Sequence, residues 1–230
     1  MSNVLEVKNL IVKFDNEKVI NNLSFKINKG EFLTIVGPNG SGKTVLLRSL
    51  LGLISQYEGE INWDKKVKIG YLPQSLTHLK VKDMPLTVKE FLCLKNINDD
   101  KIAELLKLVG LNNDILKKLI GNLSGGQFQR MLMVWALANE PNVLLFDEPT
   151  TGVDMGGEKT IYDLLYKIWE EKKITIILIT HDLNIVYKYS TDVLCVSKNN
   201  ICHSSPKEVL LPEMLEEIYD MPIKFYKHNH

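Results

Sequence analysis

From Leu5 to Ile27 apolar and polar residues alternate in short pieces, Leu23-Ser24-Phe25-Lys26-Ile27 most regularly, and Asn28-Lys29-Gly30 then supplies a turn. Alternation of period two predicts an antiparallel sheet with one face exposed, in which Phe14 has core packing as its plain role. An unbroken apolar run follows, Phe32 to Val36, and then residues 37 to 44 read Gly-Pro-Asn-Gly-Ser-Gly-Lys-Thr. Helical spacing from Val45 to Leu53 stops near Gly52, and strand character returns from Glu60 to Tyr71 around Ile61, Trp63, Val67 and Ile69, ending at Pro73-Gln74. From about 76 to 138 strand patterns give way to helical ones. Thr87 and Glu90 have capping-box spacing, Lys101 to Val109 has a helical period closed by Gly110, and Ser124 and Gln127 repeat the capping-box spacing before Met131 to Ala136.

Beyond 138 the apolar runs Val143 to Phe146 and Ile174 to Ile179 have the length and continuity of strands buried on both faces. A helix is predicted over Glu158 to Glu171 between them. Val193 to Ser197 and Ile201 to His203 form a hairpin about Asn199-Asn200, and short helices close the chain. The fold class is α/β, a parallel or mixed core sheet around residues 37 to 44, with an N-terminal antiparallel β subdomain and an inserted helical subdomain. One domain of residues 1–230 is expected, with 1–75 and 139–230 as its core and 76–138 as the helical part.

Composition narrows the class. With 45% apolar residues in 230, the chain buries a full core, and no apolar run approaches a membrane span. The N-terminus carries no signal-like block, so a cytosolic protein is expected. Lysine plus arginine and aspartate plus glutamate both total 28, which gives no field to attract nucleic acid, so no nucleic-acid partner is expected. Cys93, Cys195 and Cys202 are odd in number and lack C-x-x-C spacing, so unpaired thiols are expected. His78 reads as an exposed loop residue.

The candidate chemistry starts at 37 to 44, which fits the phosphate-binding pattern G-x-x-x-x-G-K-[ST] after a strand. Gly37, Gly40 and Gly42 let the loop that also holds Pro38, Asn39 and Ser41 turn successive backbone N–H groups, Pro38 having none, round a phosphate, and a helix opening near Lys43 points its positive end at the same anion. Lys43 is placed to reach the β and γ phosphates and Thr44 to offer its hydroxyl to a magnesium ion. The run Leu123-Ser124-Gly125-Gly126-Gln127 opens a helix with bare N–H groups. Asp147-Glu148 sets two carboxylates at the end of a buried strand, where a phosphate-loop protein holds a metal-assisting acid. His181 follows the strand ending at Ile179, at the ligand edge of an open α/β sheet.

Taken in order, the loop 37 to 44, Gln74, Leu123 to Gln127, Asp147-Glu148-Pro149, Asp154 and His181 resemble the ATP-binding subunits of ABC transporters over nearly the whole chain. The resemblance implies an ATPase using ATP and Mg2+. Phe14 would stack on adenine. Gln74 would sense magnesium and the attacking water, Asp147 would support the metal, Glu148 would act as general base and His181 would contact the γ-phosphate. It implies a head-to-tail homodimer in which Ser124, Gly125, Gly126 and Gln127 close over the nucleotide of the other copy, with Asp154 in the segment crossing the interface. Val45 departs from the pattern, standing where the family places a hydroxyl residue that helps hold the α-phosphate. A loss of up to about tenfold in affinity is expected.

A narrower resemblance, to the ATPase subunits of bacterial zinc and other metal-ion importers, rests on Ile69 to Gln74, Met84 to Val88, Asp192 to Val196 and Ile201 to His203. It implies a place on the cytoplasmic face of the inner membrane beside two permease subunits, served indirectly by an extracytoplasmic metal-binding protein. A partner-contacting surface would lie around 74 to 95. Manganese or iron importers, exporters and non-transport ABC proteins are the alternatives. The tail Lys227-His228-Asn229-His230, with Cys202-His203 upstream, holds zinc-ligating residue types. Two tail histidines fall short of a closed tetrahedral site, and a frayed polar terminus is expected there.

Overall fold

The computed structural model describes residues 2–15, 17–73, 83–150, 155–197 and 201–220. The chain divides into two compact units, residues 1–65 with 177–230, and residues 66–176.

In the first unit, β1 (Asn3–Phe14), β2 (Glu17–Asn28) and β4 (Tyr57–Trp63) form a three-stranded antiparallel sheet in the order β2-β1-β4. The short alternating pieces of the sequence are two strands of 12 residues each, interrupted by register shifts. Asn9 and Asn22 take left-handed backbone (φ 48° and 55°), a conformation asparagine tolerates better than most residues and one that suits an irregular register. The inward alternation holds: Leu5, Val7, Leu10 and Val12 on β1 and Ile20, Leu23, Phe25 and Ile27 on β2 are buried.

The same unit carries β3 (Phe32–Val36), β8 (Asp192–Val196) and β9 (Ile201–Ser204), in strand order β7-β3-β8-β9, where β7 is Thr175–Ile179. β3 runs parallel to β8, and β8 antiparallel to β9. Both β3 and β7 are buried along all five residues, as their unbroken apolar sequences require. Helix α1 (Lys43–Leu50) follows β3, and α6 (Leu183–Tyr189) follows β7. The Asp182 side chain caps α6 by accepting from the Asn184 N–H at 2.8 Å. α7 (Pro206–Val209) and α8 (Pro212–Tyr219) each open with proline in the first turn, where its missing N–H costs nothing.

The unpaired-thiol expectation is corrected here. Register sets Cys195 of β8 directly opposite Cys202 of β9, and the two form a disulfide with Cα atoms 4.9 Å apart. Cys93 is a free, exposed thiol.

In the second unit, β5 (Ile69–Leu72) pairs in parallel with β6 (Val143–Asp147), and the strand order is β5-β6-β7. The single strand stretch expected over 60 to 71 is thus two strands in two different sheets. Four α-helices are described in this unit, α2 (Val88–Cys93), α3 (Asp99–Leu108), α4 (Gly125–Leu137) and α5 (Met155–Lys172), with two short 3-10 turns at Asn113–Lys117 and Ile120–Asn122. Both expected capping boxes form. Thr87 Oγ1 accepts from the Glu90 N–H while Glu90 accepts from the Thr87 N–H at 2.8 Å, and Ser124 and Gln127 reciprocate at the head of α4. α4 buries Phe128, Met131, Leu132 and Val134, each worth about 1.5–3 kcal/mol on full burial. Trp135 stacks on Phe91 of α2 with centroids 4.3 Å apart, and the Lys95 ammonium lies 4.4 Å from the indole centroid, fastening α2 to α4.

Candidate functional site

Residues 37 to 44 leave the buried end of β3 as a tight loop. Gly37 has φ 147°, and a Cβ there would lie 2.0 Å from the Val196 carbonyl oxygen, so only glycine fits. Gly42 caps α1 in the left-handed region (φ 97°), with Val19 atoms 2.9–3.0 Å from where a Cβ would stand. Lys43 is buried, and its ammonium donates to the Gly37 and Pro38 carbonyls at 2.8 and 2.9 Å. The Ser41 N–H donates to the Pro38 carbonyl at 3.2 Å.

Ser41 is 3% exposed, and its Oγ is a buried hydroxyl with no hydrogen-bond partner, the one such side-chain atom among the described residues. Leaving it so costs about 1–3 kcal/mol. A phosphate oxygen beside it would satisfy the hydroxyl, and Lys43 would exchange two carbonyl acceptors for anionic phosphate oxygens. The loop therefore fits a nucleotide phosphate. Thr44 and Val45 are half-buried in the first turn of α1. Val45 offers no hydroxyl; its carbonyl accepts from Ser49 Oγ at 3.0 Å.

Phe14 is 45% exposed at the end of β1, so its plain role as a core residue does not hold. A ring with that much free area suits stacking on a flat ligand. His181 is exposed immediately after β7. The neighbouring Thr180 is buried, and its Oγ1 accepts from the Asp182 N–H at 3.1 Å, which fixes the turn on which His181 stands.

In the other unit, Asp147 ends β6 and is 2% exposed. Glu148, next in the chain, is half-buried and takes φ 47°. Left-handed backbone at a glutamate costs about 1–2 kcal/mol, a cost that fits a position where the side chain must be aimed. The Thr150 and Tyr162 hydroxyls meet at 3.3 Å behind this turn.

Ser124 stands exposed at the head of α4 with Gly125, Gly126 and Gln127 half-buried, and a Cβ at Gly126 would meet nothing within 4 Å. That helix end offers the open N–H surface the sequence suggests, with the Gln127 side chain turned to the Ser124 N–H at 3.2 Å. Gln74 and Asp154 lie outside the described residues, as do His78 and residues 227 to 230.

The metal-ligand reading of Cys202-His203 is corrected. Cys202 is in the disulfide, and His203 Nε2 lies 2.8 Å from Asp192 Oδ2 with its ring edge-on to Phe25. No group of three or more metal-ligating side chains occurs among the described residues.

Residues 20–151, more than half the chain, match the family model described as ABC transporter. The chain is 37% identical to the zinc import ATP-binding protein ZnuC of Wigglesworthia glossinidia brevipalpis, with 100% of both chains covered. It is 40% identical to a Thermotoga maritima protein named "Probable metal transport system ATP-binding protein", covering 94% of this chain and 90% of the relative. Among solved structures it resembles cbiO1 of Clostridium perfringens, part of the ABC transporter complex cbiONQ, with a TM-score of 0.78, 26% identity and 94% of each chain covered. It also resembles a dimeric post-hydrolysis ATP-binding cassette bound to ADP and Pi, with a TM-score of 0.71, 27% identity, and 88% of this chain and 98% of that one covered. A phosphate loop built on a buried lysine, an exposed serine-capped glycine helix and these full-length likenesses agree, and the chain belongs to the ABC transporter ATP-binding family, with the fold of its ATPases.

Proposed function

We propose that the chain is the ATP-hydrolysing subunit of a divalent-metal importer, with zinc as the cargo. The observation that carries this is the end-to-end likeness to zinc import ATP-binding proteins, joined to a phosphate loop whose buried Ser41 hydroxyl lacks a partner.

In this reading Lys43 and the loop N–H groups hold the ATP phosphates, and Phe14 stacks on the adenine. Thr44, Asp147 and Gln74 hold a Mg2+ ion, which when bound neutralises developing charge on the phosphates. Glu148 takes the proton of the attacking water, and His181 orients that water towards the γ-phosphate. Ser124 to Gln127 serve the nucleotide of a second copy paired head to tail, and Asp154 belongs to the segment between the copies. The dimeric relative with ADP and Pi supports pairing.

No helix among the described residues is long and apolar enough to cross a membrane, and in this reading the cargo passes through a separate permease. Met84 and Leu94, 41% and 62% exposed, lie in the stretch 74 to 95 that would meet such a partner on the cytoplasmic face. An extracytoplasmic metal-binding protein would deliver the cargo.

The test is the metal content of cells whose only gene copy carries Lys43→Ala, grown under metal limitation beside wild type. A selective fall in zinc is expected. A selective fall in manganese or iron would replace the cargo, and unchanged metals with normal protein levels would overturn the importer.

A further inference from the structure

We propose that Thr150 and Tyr162 are positioning residues for hydrolysis, their hydroxyl pair holding the turn that aims Glu148. This rests on Glu148 being the general base of the proposed reaction.

Glu148 is disfavoured twice where it stands. Its φ of 47° is left-handed, and the next residue is Pro149, whose ring crowds the preceding N–H and Cβ and pushes that residue towards extended backbone. Such a conformation persists only where its surroundings over-determine it. On the N-terminal side the restraint is β6, buried along all five residues and ending in Asp147. On the C-terminal side Pro149 and Thr150 are both buried, although the strand has already ended.

What reaches Thr150 there is α5. Its hydroxyl lies 3.3 Å from that of Tyr162, 12 residues further on, and both side chains are buried. α5 is anchored in turn, with Ile161, Leu165 and Ile168 buried at the spacing of one helix face. Either hydroxyl can donate to the other. Deleting one takes that partner from the other in a buried place. The Glu148 turn is thereby clamped between a buried strand end and a buried helix, all within one unit. Neither hydroxyl belongs to the phosphate loop, so the pair bears on where the carboxylate sits and not on how tightly nucleotide is held. A general base must come within hydrogen-bond reach of its water, and a small displacement lowers the rate.

Thr150→Val keeps the shape of the side chain and Tyr162→Phe keeps the ring; each removes a hydroxyl. In the purified full-length protein with ATP and magnesium, each variant should lower kcat about three- to tenfold, with the Kd for a fluorescent ATP analogue within about twofold of wild type. The double variant should be about as slow as the slower single one, because both remove the same contact. Thr150→Ser, which keeps the hydroxyl without the methyl group, should turn over within about twofold of wild type. Wild-type kcat in both hydroxyl deletions would overturn the proposal, as would losses that multiply in the double variant, or a Kd that rises while kcat is unmoved. A pure packing role would spare Thr150→Val and slow Thr150→Ser, which also overturns it. Glu148→Gln measured in parallel separates the two levels. If it hydrolyses at the wild-type rate, the general-base reading fails and takes the proposal with it; if it is inactive while Thr150→Val and Tyr162→Phe match wild type, only the positioning role fails.

Discussion

The ammonium of Lys43 donates to the carbonyl oxygen of Gly37, six residues earlier in the chain, at 2.8 Å, so the loop is drawn closed on its own lysine. A buried cation needs acceptors, and the two loop carbonyls it reaches supply them. Phosphate oxygens are stronger acceptors at the same place.

Lys43→Ala should therefore act mainly on binding. Charge-assisted contacts are worth about 1.5–3 kcal/mol each, so losing two of them weakens ATP binding by at least about 100-fold. Equilibrium titration with a fluorescent nucleotide measures this directly. Affinity within tenfold of wild type would show that the lysine contributes structure alone.

Acid should loosen the second unit through its caps. Hydrogen bonds from the Thr87 backbone and side chain hold the Glu90 carboxyl below its ordinary value, and the Lys101 ammonium does the same for Glu140. A carboxylate depressed in the folded state adds stability that is complete above its unfolded pKa and is lost as pH falls through the folded one. Thermal melts should be flat from about pH 7 to 5.5 and fall from about pH 5 towards 3. Glu90→Gln keeps the acceptor oxygen without the charge, and should make that fall shallower. An unchanged slope would assign acid sensitivity to other carboxylates.

Reductant should soften the β8–β9 hairpin. The disulfide joins residues 7 apart, and closing so short a loop adds about 2 kcal/mol. Excess reductant should lower Tm by about 4 to 8 °C in a chain this long. Thiol titration of the air-oxidised protein after denaturation should find Cys93 alone, and all three cysteines after reduction. Three reactive thiols without reductant would remove the pair.

These sites differ in how far the sequence discloses them. Capping boxes are local, with Thr87 meeting Glu90 and Ser124 meeting Gln127 within one turn, so spacing alone predicts both. Buried strands such as β3 and β6 announce themselves by unbroken apolar runs. Pairing is not local. A turn centred on Asn199-Asn200 would set Cys195 against Ser204, whereas the actual register sets it against Cys202, and a small slip of this kind decides whether two thiols meet. Tyr71 and Trp63 lie in one apolar stretch, yet β5 pairs with β6 and β4 with β1, a choice that depends on partners far along the chain.

Glu148 tests the catalytic reading most sharply. Its φ of 47° keeps a glutamate in a backbone region that asparagine or glycine would occupy at lower cost. Glu148→Gln preserves the size, the backbone and the acceptor oxygen, and removes only the capacity to take a proton. Nucleotide affinity should stay within a few-fold of wild type while hydrolysis falls by about 100- to 10,000-fold. With ATP and magnesium present, light scattering should then show a mass near twice that of the 26.3 kDa chain, because the nucleotide that holds two copies together is no longer consumed. A variant that hydrolyses normally would move the general base elsewhere. One that binds ATP, fails to hydrolyse it and stays monomeric would keep Glu148 as the base and refute the pairing of Ser124 to Gln127 with a second copy's nucleotide.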